Sequence, residues 1–382
     1  MPDSFRVKDK NSLKKPLCKP QNPCFGSGPC AKLPGWNLIA LKEAVLGRSH
    51  RSLSGVKKIQ VTLGYIREVL EIPSSHHIAL LSGSATAAVE CLLWNLLGAR
   101  PVGIVMGEFF SQRWANDIIN ELGLPQTHLY KDNTDLANID FSQDVVFVWN
   151  GSTSGQCVPQ ESWIDPHRQG LTLCDATSAA FAMPLPWTEL DATAFSWQKG
   201  LGGEAGIGLI VLGPRSIERL ETYTPAWPIP YLYKLIHDRK LKKEIFEGLT
   251  LNTPSFLVLE DALYALKWAK QLGGIQGMYN RTLLNFSKIQ AWVERTSWID
   301  FLISVPSLRS PTTVCLKFVE NPDWAWVQSF CQLLEKEGVG FDIKNHAVAP
   351  PSIRVWAGPT MKADNLEALF PWLDWCYATL KQ

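Results

Sequence analysis

Ala194-Phe195-Ser196-Trp197-Gln198-Lys199-Gly200-Leu201-Gly202-Gly203 runs from a short apolar segment into a glycine-rich exit, with one ammonium side chain at the junction. Delivery of a charged residue past the end of a buried strand is characteristic of open α/β sheets, whose ligands gather beyond the carboxyl ends of the strands. The surrounding sequence repeats the pattern, with short apolar segments at 78–81, 102–106, 145–149, 171–174, 192–195 and 207–212. Such runs, alternating with helical stretches, predict a largely parallel sheet covered on both faces. Helices are expected over 36–47, 56–70, from about 87 to Gly98, over 255–271 and 323–337, and at the C-terminal end. With strands at 313–319 and 353–356, the later part reads as a smaller α+β layer. The expected division is an N-terminal tail and substrate-side segment (1–30), a large domain (31–270) and a small C-terminal domain (271–382).

Composition narrows the function classes. The 382 residues are 46% hydrophobic, enough to bury the cores of two domains, and 37 basic against 36 acidic side chains give no electrostatic case for nucleic acid. Apolar runs fall short of the roughly 18 residues that span a bilayer, and Lys8, Lys10, Lys14, Lys15 and Lys19 are followed by no apolar signal core. The expectation is a soluble cytoplasmic protein without a membrane partner. Nine cysteines are an odd number without framework spacing, and Cys18, Cys24 and Cys30 lack the nearby fourth ligand of a zinc knuckle, so neither disulfides nor a metal site is expected.

Lys199 and Asp175 carry the chemical reading. A confined lysine beside a cationic group loses its proton more easily and can then attack a carbonyl, although a lysine after a strand is ordinarily a solvated charge. Asp175 follows Leu171-Thr172-Leu173-Cys174, and its carboxylate can pair with the N–H of a protonated cofactor ring or simply form a turn with Ala176-Thr177-Ser178. Gly83-Ser84-Ala85-Thr86 precedes a helix, where free amides and hydroxyls suit one small phosphate or an ordinary N-cap. Ser196 and Gln198 offer further polar groups to the same anion. Trp114 is placed to stack on a planar ring or to anchor a helix, and Asn150 or Ser152 to hydrogen-bond a ring oxygen or to make a turn. Arg48-Ser49-His50-Arg51 and Arg354 supply guanidinium groups suited to carboxylate or phosphate.

Ser196-Trp197-Gln198-Lys199, Ser49-His50-Arg51, Asn252-Thr253-Pro254 and Ser352-Ile353-Arg354 occur in the order seen in one family. From Asn22 onward the chain resembles the fold-type I, class V aminotransferases that depend on pyridoxal 5'-phosphate (PLP), and within them the phosphoserine aminotransferase branch. That resemblance implies a homodimer with shared active sites. It places PLP covalently on Lys199, Asp175 at the ring nitrogen, Trp114 against the ring and Ser152 near the phenolic oxygen. Ser84, Ala85, Thr86 and Gln198 match the phosphate-binding region, joined by Asn252 and Thr253 from the neighbouring subunit. Arg354 matches the contact to the substrate α-carboxylate, and His50, Arg51 and His346 the phosphate-side contacts. The implied reaction exchanges an amino group between O-phospho-L-serine or 3-phosphohydroxypyruvate and glutamate or 2-oxoglutarate, in serine and pyridoxine biosynthesis.

Ala347 departs from the pattern. His346-Ala347-Val348 stands where the family often has histidine or tyrosine followed by arginine, so one expected guanidinium is missing. Loss of a charge-assisted contact favours altered affinity or another acidic amino acid. The alternative is a related class V enzyme that passes amino groups from a small amino acid such as alanine or serine to glyoxylate or another oxoacid.

Overall fold

The computed structural model describes residues 13–159, 163–238 and 240–381; residues 1–12 of the expected tail, with Lys8 and Lys10, lie outside them. Seven strands form the main sheet: β1 (His77–Ser82), β2 (Val102–Val105), β3 (Thr127–Tyr130), β4 (Asp144–Val148), β5 (Thr172–Asp175), β6 (Ala192–Ser196) and β7 (Ile207–Leu212). Their order is β1-β7-β6-β5-β4-β2-β3. The block from β3 to β6 is parallel, whereas β7 runs antiparallel to both β6 and β1. The reversal has a local cause: the connection 197–206 is too short for the crossover of a dozen or more residues that a parallel pair requires.

The apolar runs locate every strand of this sheet except β3. That strand lies at the sheet edge with His128 and Leu129 exposed and only Tyr130 buried, so it carries no apolar run. Elsewhere both faces are covered. Phe195 and Leu209 pack with Ile59 and Ile66 of α1 (Leu53–Leu70) on one side, while Ala194 and Ile210 pack with Leu92 of α2 (Ser84–Leu96) on the other. Two further helices, α3 (Phe109–Asn116) and α4 (Pro214–Thr222), complete this layer, and a short antiparallel pair, β8 (Ile236–His237) with β9 (Lys240–Leu241), follows.

The expected helix over 36–47 is instead a single 3₁₀ turn, Leu38–Leu41, capped by the Asn37 side chain. Leu38 and Ile39 are exposed in the single chain, so no packed face extends the turn.

Helix α5 (Phe256–Gln271) leads to α6 (Gly274–Glu294) and the small domain: β10 (Ile299–Phe301), β11 (Thr313–Phe318), α7 (Trp324–Glu337), β12 (Ser352–Trp356) and α8 (Ala363–Leu380). Its antiparallel sheet, β10-β11-β12, packs against the helices through Trp292, Leu316, Phe330, Val355 and Leu373. Helix α6 was not expected. Its buried face includes Thr282 and Asn285, which interrupt the apolar period, and the Asn285 amide donates to the carbonyls of Ala357, Gly358 and Met361.

The segment from Cys18 to Cys30 is fastened at several points. Trp372 Nε1 donates to the Cys18 carbonyl at 2.8 Å, and Trp356 N to that of Phe25 at 2.9 Å. Cys30 N donates to the Gln198 carbonyl at 2.9 Å, which brings this strap to Lys199. Among the described residues, no helix is long and apolar enough to cross a membrane.

Candidate active site

Strands β4, β5 and β6 end side by side, and the residues past their carboxyl ends line one pocket with α2 and α3. Ser84, Ala85, Thr86, Trp114, Ser152, Asp175, Gln198 and Lys199 face it, joined by Phe110, Val148, Asn150, Thr177 and Ser178. The approach of α2 depends on glycine. A Cβ at Gly208 of β7 would stand 2.2 Å from the Ser84 carbonyl oxygen, so only a bare backbone lets the helix start this close to the sheet. Ser84 itself has φ 64°, a left-handed conformation costly for a side chain other than glycine. A Cβ at Gly200 would likewise meet the Ala180 carbonyl oxygen at 2.5 Å, which explains the glycine directly after Lys199.

Asp175 is held by three donors. Trp114 Nε1 donates to its Oδ2 at 3.1 Å, and the amide and hydroxyl of Thr177 donate to Oδ1 at 3.1 and 2.5 Å. Burial raises the Asp175 pKa, and these bonds together with the Lys199 charge oppose that rise. Lys199 Nζ donates to the Ser27 carbonyl. Burial lowers its pKa; Cys30, Asp175 and Glu108 pull it upward, while Arg354 pushes it further down. Only 8% of Lys199 is exposed, so its amine sits in a dry setting that favours the neutral, nucleophilic form.

Ser152 Oγ lies 2.7 Å from Ser178 Oγ. The Ser152 carbonyl accepts Arg354 Nη1 from β12 at 3.0 Å, which links the small domain to the pocket rim. Arg354 Nε is buried with no partner among the described residues, as are Ser196 Oγ and Gln198 Oε1. Unsatisfied buried groups of this kind beside a pocket mark where ligand atoms belong.

Other expected residues lie apart from the pocket lining. His346 stacks on Phe109 with ring centroids 4.7 Å apart. His50 is buried, with Nε2 unpartnered among the described residues and its pKa lowered by burial and by Arg51, which is itself exposed. Asn252 and Thr253 occupy the loop before α5. Ala347 is exposed in the turn after His346. Among the pocket residues, Thr177 and Ser178 read from the sequence only as turn formers following Asp175, and Phe110 and Val148 carry no chemical signal in it. Among the described residues no cluster of three or more histidine, cysteine or acidic side chains is gathered to hold a metal.

A mostly parallel sheet with one reversed strand, a smaller C-terminal sheet and a lysine pocket at the strand ends define a fold-type I PLP-dependent transferase. Comparison with known proteins agrees. No protein-family model matches the chain. It is 45% identical over 371 residues to a phosphoserine aminotransferase of Methanosarcina mazei, an alignment covering 96% of this chain and 100% of the relative. A crystal structure of a phosphoserine aminotransferase from Cytophaga hutchinsonii superposes with a TM-score of 0.79 at 21% identity, covering 92% of this chain and 97% of that one. An alanine–glyoxylate aminotransferase from Nostoc has the same fold, with a TM-score of 0.75 at 19% identity over 98% and 100% of the two chains. The chain belongs to the phosphoserine aminotransferase family, and is an aminotransferase of the PLP-dependent kind.

Proposed function

We propose that this enzyme exchanges an amino group between O-phospho-L-serine and 2-oxoglutarate, reversibly, with PLP held at Lys199. The observation that carries the reading is the convergence of Lys199 Nζ, the Asp175 carboxylate and the start of α2 on one pocket. The residues present fit the cofactor. Ser84, Ala85, Thr86 and Gln198 line the pocket together, Ser196 Oγ is buried without a partner among the described residues, and the bare backbone at Gly208 lets the amides of α2 approach the same space.

When bound, PLP supplies the electron sink and carries the amino group between the two half-reactions. Asp175 would hold the protonated ring nitrogen; that cation offsets the burial which otherwise favours its neutral form. Trp114 would lie against the ring, its orientation fixed by the hydrogen bond to Asp175. Ser152 would meet the phenolic oxygen, and Ser84, Ala85, Thr86 and Gln198 the phosphate. Lys199 Nζ, whose pKa is lowered by burial and further by the positive charge of Arg354, would take the α-proton of the substrate and return it. Arg354 Nε and the rest of its guanidinium would receive the α-carboxylate, with Nη1 braced on the Ser152 carbonyl.

A second copy of the chain completes this reading. Leu38, Ile39, Leu46, Leu53, Leu249 and Leu257 are exposed in segments that flank His50, Arg51, Asn252 and Thr253. An apolar surface around polar residues that do not line their own pocket supports a homodimer in which those residues serve the partner's site.

The missing guanidinium at Ala347 favours a second reading, a class V aminotransferase that uses an unphosphorylated small amino acid. Exchange between the aldehyde and amine forms of the cofactor, followed by absorbance with phosphoserine and with serine, separates the two. Preference for phosphoserine supports the main proposal; equal turnover of serine overturns it.

A further inference from the structure

Glu108 is a buried acid that the reaction above does not use. It caps α3: its Oε1 accepts the amides of Phe110 at 2.7 Å and Ser111 at 3.1 Å, and Ser111 Oγ returns a bond from the Glu108 amide at 3.1 Å. Its second oxygen does something a cap does not require, accepting the Thr153 hydroxyl at 3.1 Å. Thr153 Oγ1 in turn accepts the Phe109 amide at 3.1 Å. Both segments so joined line the pocket, since α3 carries Phe110 and Trp114 and the turn carries Asn150 and Ser152. Contact is close, because a Cβ at Gly151 would fall 2.9 Å from Glu108 Cγ.

We propose that Glu108 is a positioning residue of the active site: its carboxylate fastens the α3 wall to the Asn150–Thr153 turn. The inference rests on the PLP reading given above. A plain N-cap needs only a short polar side chain that reaches the first free amides, whereas this one is 7% exposed and spans to a separate loop. Burial raises the Glu108 pKa to about 7, with Asp175 adding to the rise and the bonds from Ser111, Thr153 and Phe110 opposing it. The charged or titratable groups around it are Asp175 on β5, Lys199 after β6, Cys315 on β11 and Arg354 on β12. When ionised, Glu108 raises the Lys199 pKa and that of Arg354.

The test compares wild type, Glu108→Gln and Thr153→Val by PLP binding to apoprotein, followed by tryptophan fluorescence, and by pH titration of the absorbance of the bound cofactor. Glutamine keeps an acceptor for the cap and a polar group toward Thr153 but removes the ionisable group; valine keeps the carboxyl group and cuts the tie. Thr153→Val is expected to weaken PLP binding roughly tenfold. Glu108→Gln is expected to lower that midpoint by roughly 0.5–1 on the pH scale, because the removed charge favoured the protonated form. If both variants bind PLP like wild type and titrate at its midpoint, losing only thermal stability, Glu108 is merely a helix cap and the proposal fails. Should Glu108→Gln not fold, an unchanged PLP affinity in Thr153→Val overturns the proposal by itself. Failure of wild type to take up PLP would instead sink the functional reading, and this inference with it.

Discussion

Asp175→Asn isolates one negative charge in an otherwise preserved pocket. The carboxylate accepts Trp114 Nε1 on Oδ2 and two Thr177 donors on Oδ1. Asparagine can keep Oδ1 toward Thr177, but its amide then meets the Trp114 N–H donor to donor, leaving a buried indole without an acceptor. Opposite the ring nitrogen of bound PLP, a charge-assisted hydrogen bond also becomes a neutral one. Hydrogen bonds to charged groups contribute about 1.5–3 kcal/mol, so PLP affinity should fall roughly 10- to 100-fold. Apoprotein stability should change less, because removing the ionised Asp175 relieves its burial cost and offsets part of the lost Trp114 bond. The assay is titration of apoprotein with PLP, paired with thermal melting without cofactor and stopped-flow amino exchange with glutamate. PLP affinity and exchange rate within roughly twofold of wild type would refute the assignment of Asp175 to the ring nitrogen.

Lys199→Ala should abolish borohydride trapping of PLP on the protein and stop amino exchange while leaving the fold intact; normal transamination in the variant rejects Lys199 as the base. In wild type, burial depresses the Lys199 pKa, so its capture of a small aldehyde should persist to lower pH than that of surface lysines, as peptide mapping across a pH series would show. Arg354→Ala should weaken substrates by about 2–5 kcal/mol, since it removes a half-buried guanidinium; measuring KM in both half-reactions shows whether one residue serves both carboxylates. Gly208→Ala forces a methyl group against the Ser84 carbonyl and should cost about 1–3 kcal/mol of stability together with PLP affinity; an unchanged melting temperature would show that α2 can shift freely.

Most of the fold was legible because buried parallel strands are written as continuous apolar runs. β5 and β6 are buried at every position, and both end at the residues that matter, Asp175 and the Ser196–Lys199 turn. Edge strand β3 and helix α6 escaped for opposite reasons, the first being too exposed to carry an apolar run and the second burying Thr282 and Asn285 within its inward face. At the pocket, single residues such as Ser84 and Trp114 were ambiguous, and only their order along the chain pointed to one site. Glu108 gave no signal because its role requires Thr153, a residue distant in sequence that the alignment of β2 and β4 brings alongside. In the fold Glu108 caps α3, and its second oxygen becomes informative only in three dimensions.

The turn from Asn150 to Thr153 is where the two domains and the pocket meet. Asn150 Nδ2 donates to Thr312 Oγ1 at 2.8 Å, the Thr153 carbonyl accepts Asn345 Nδ2 at 3.0 Å, and the Ser152 carbonyl accepts Arg354 at 3.0 Å. Those three partners belong to the small domain, while Ser152 Oγ and Thr153 Oγ1 turn to Ser178 and Glu108 of the large one. A backbone segment bonded this densely cannot shift at one residue without straining the others. The guanidinium proposed to receive the substrate and the hydroxyl proposed to meet the cofactor therefore share one rigid support. Such a support lets a single pocket present the same geometry to two different amino acids in turn, which is what the two proposed half-reactions demand.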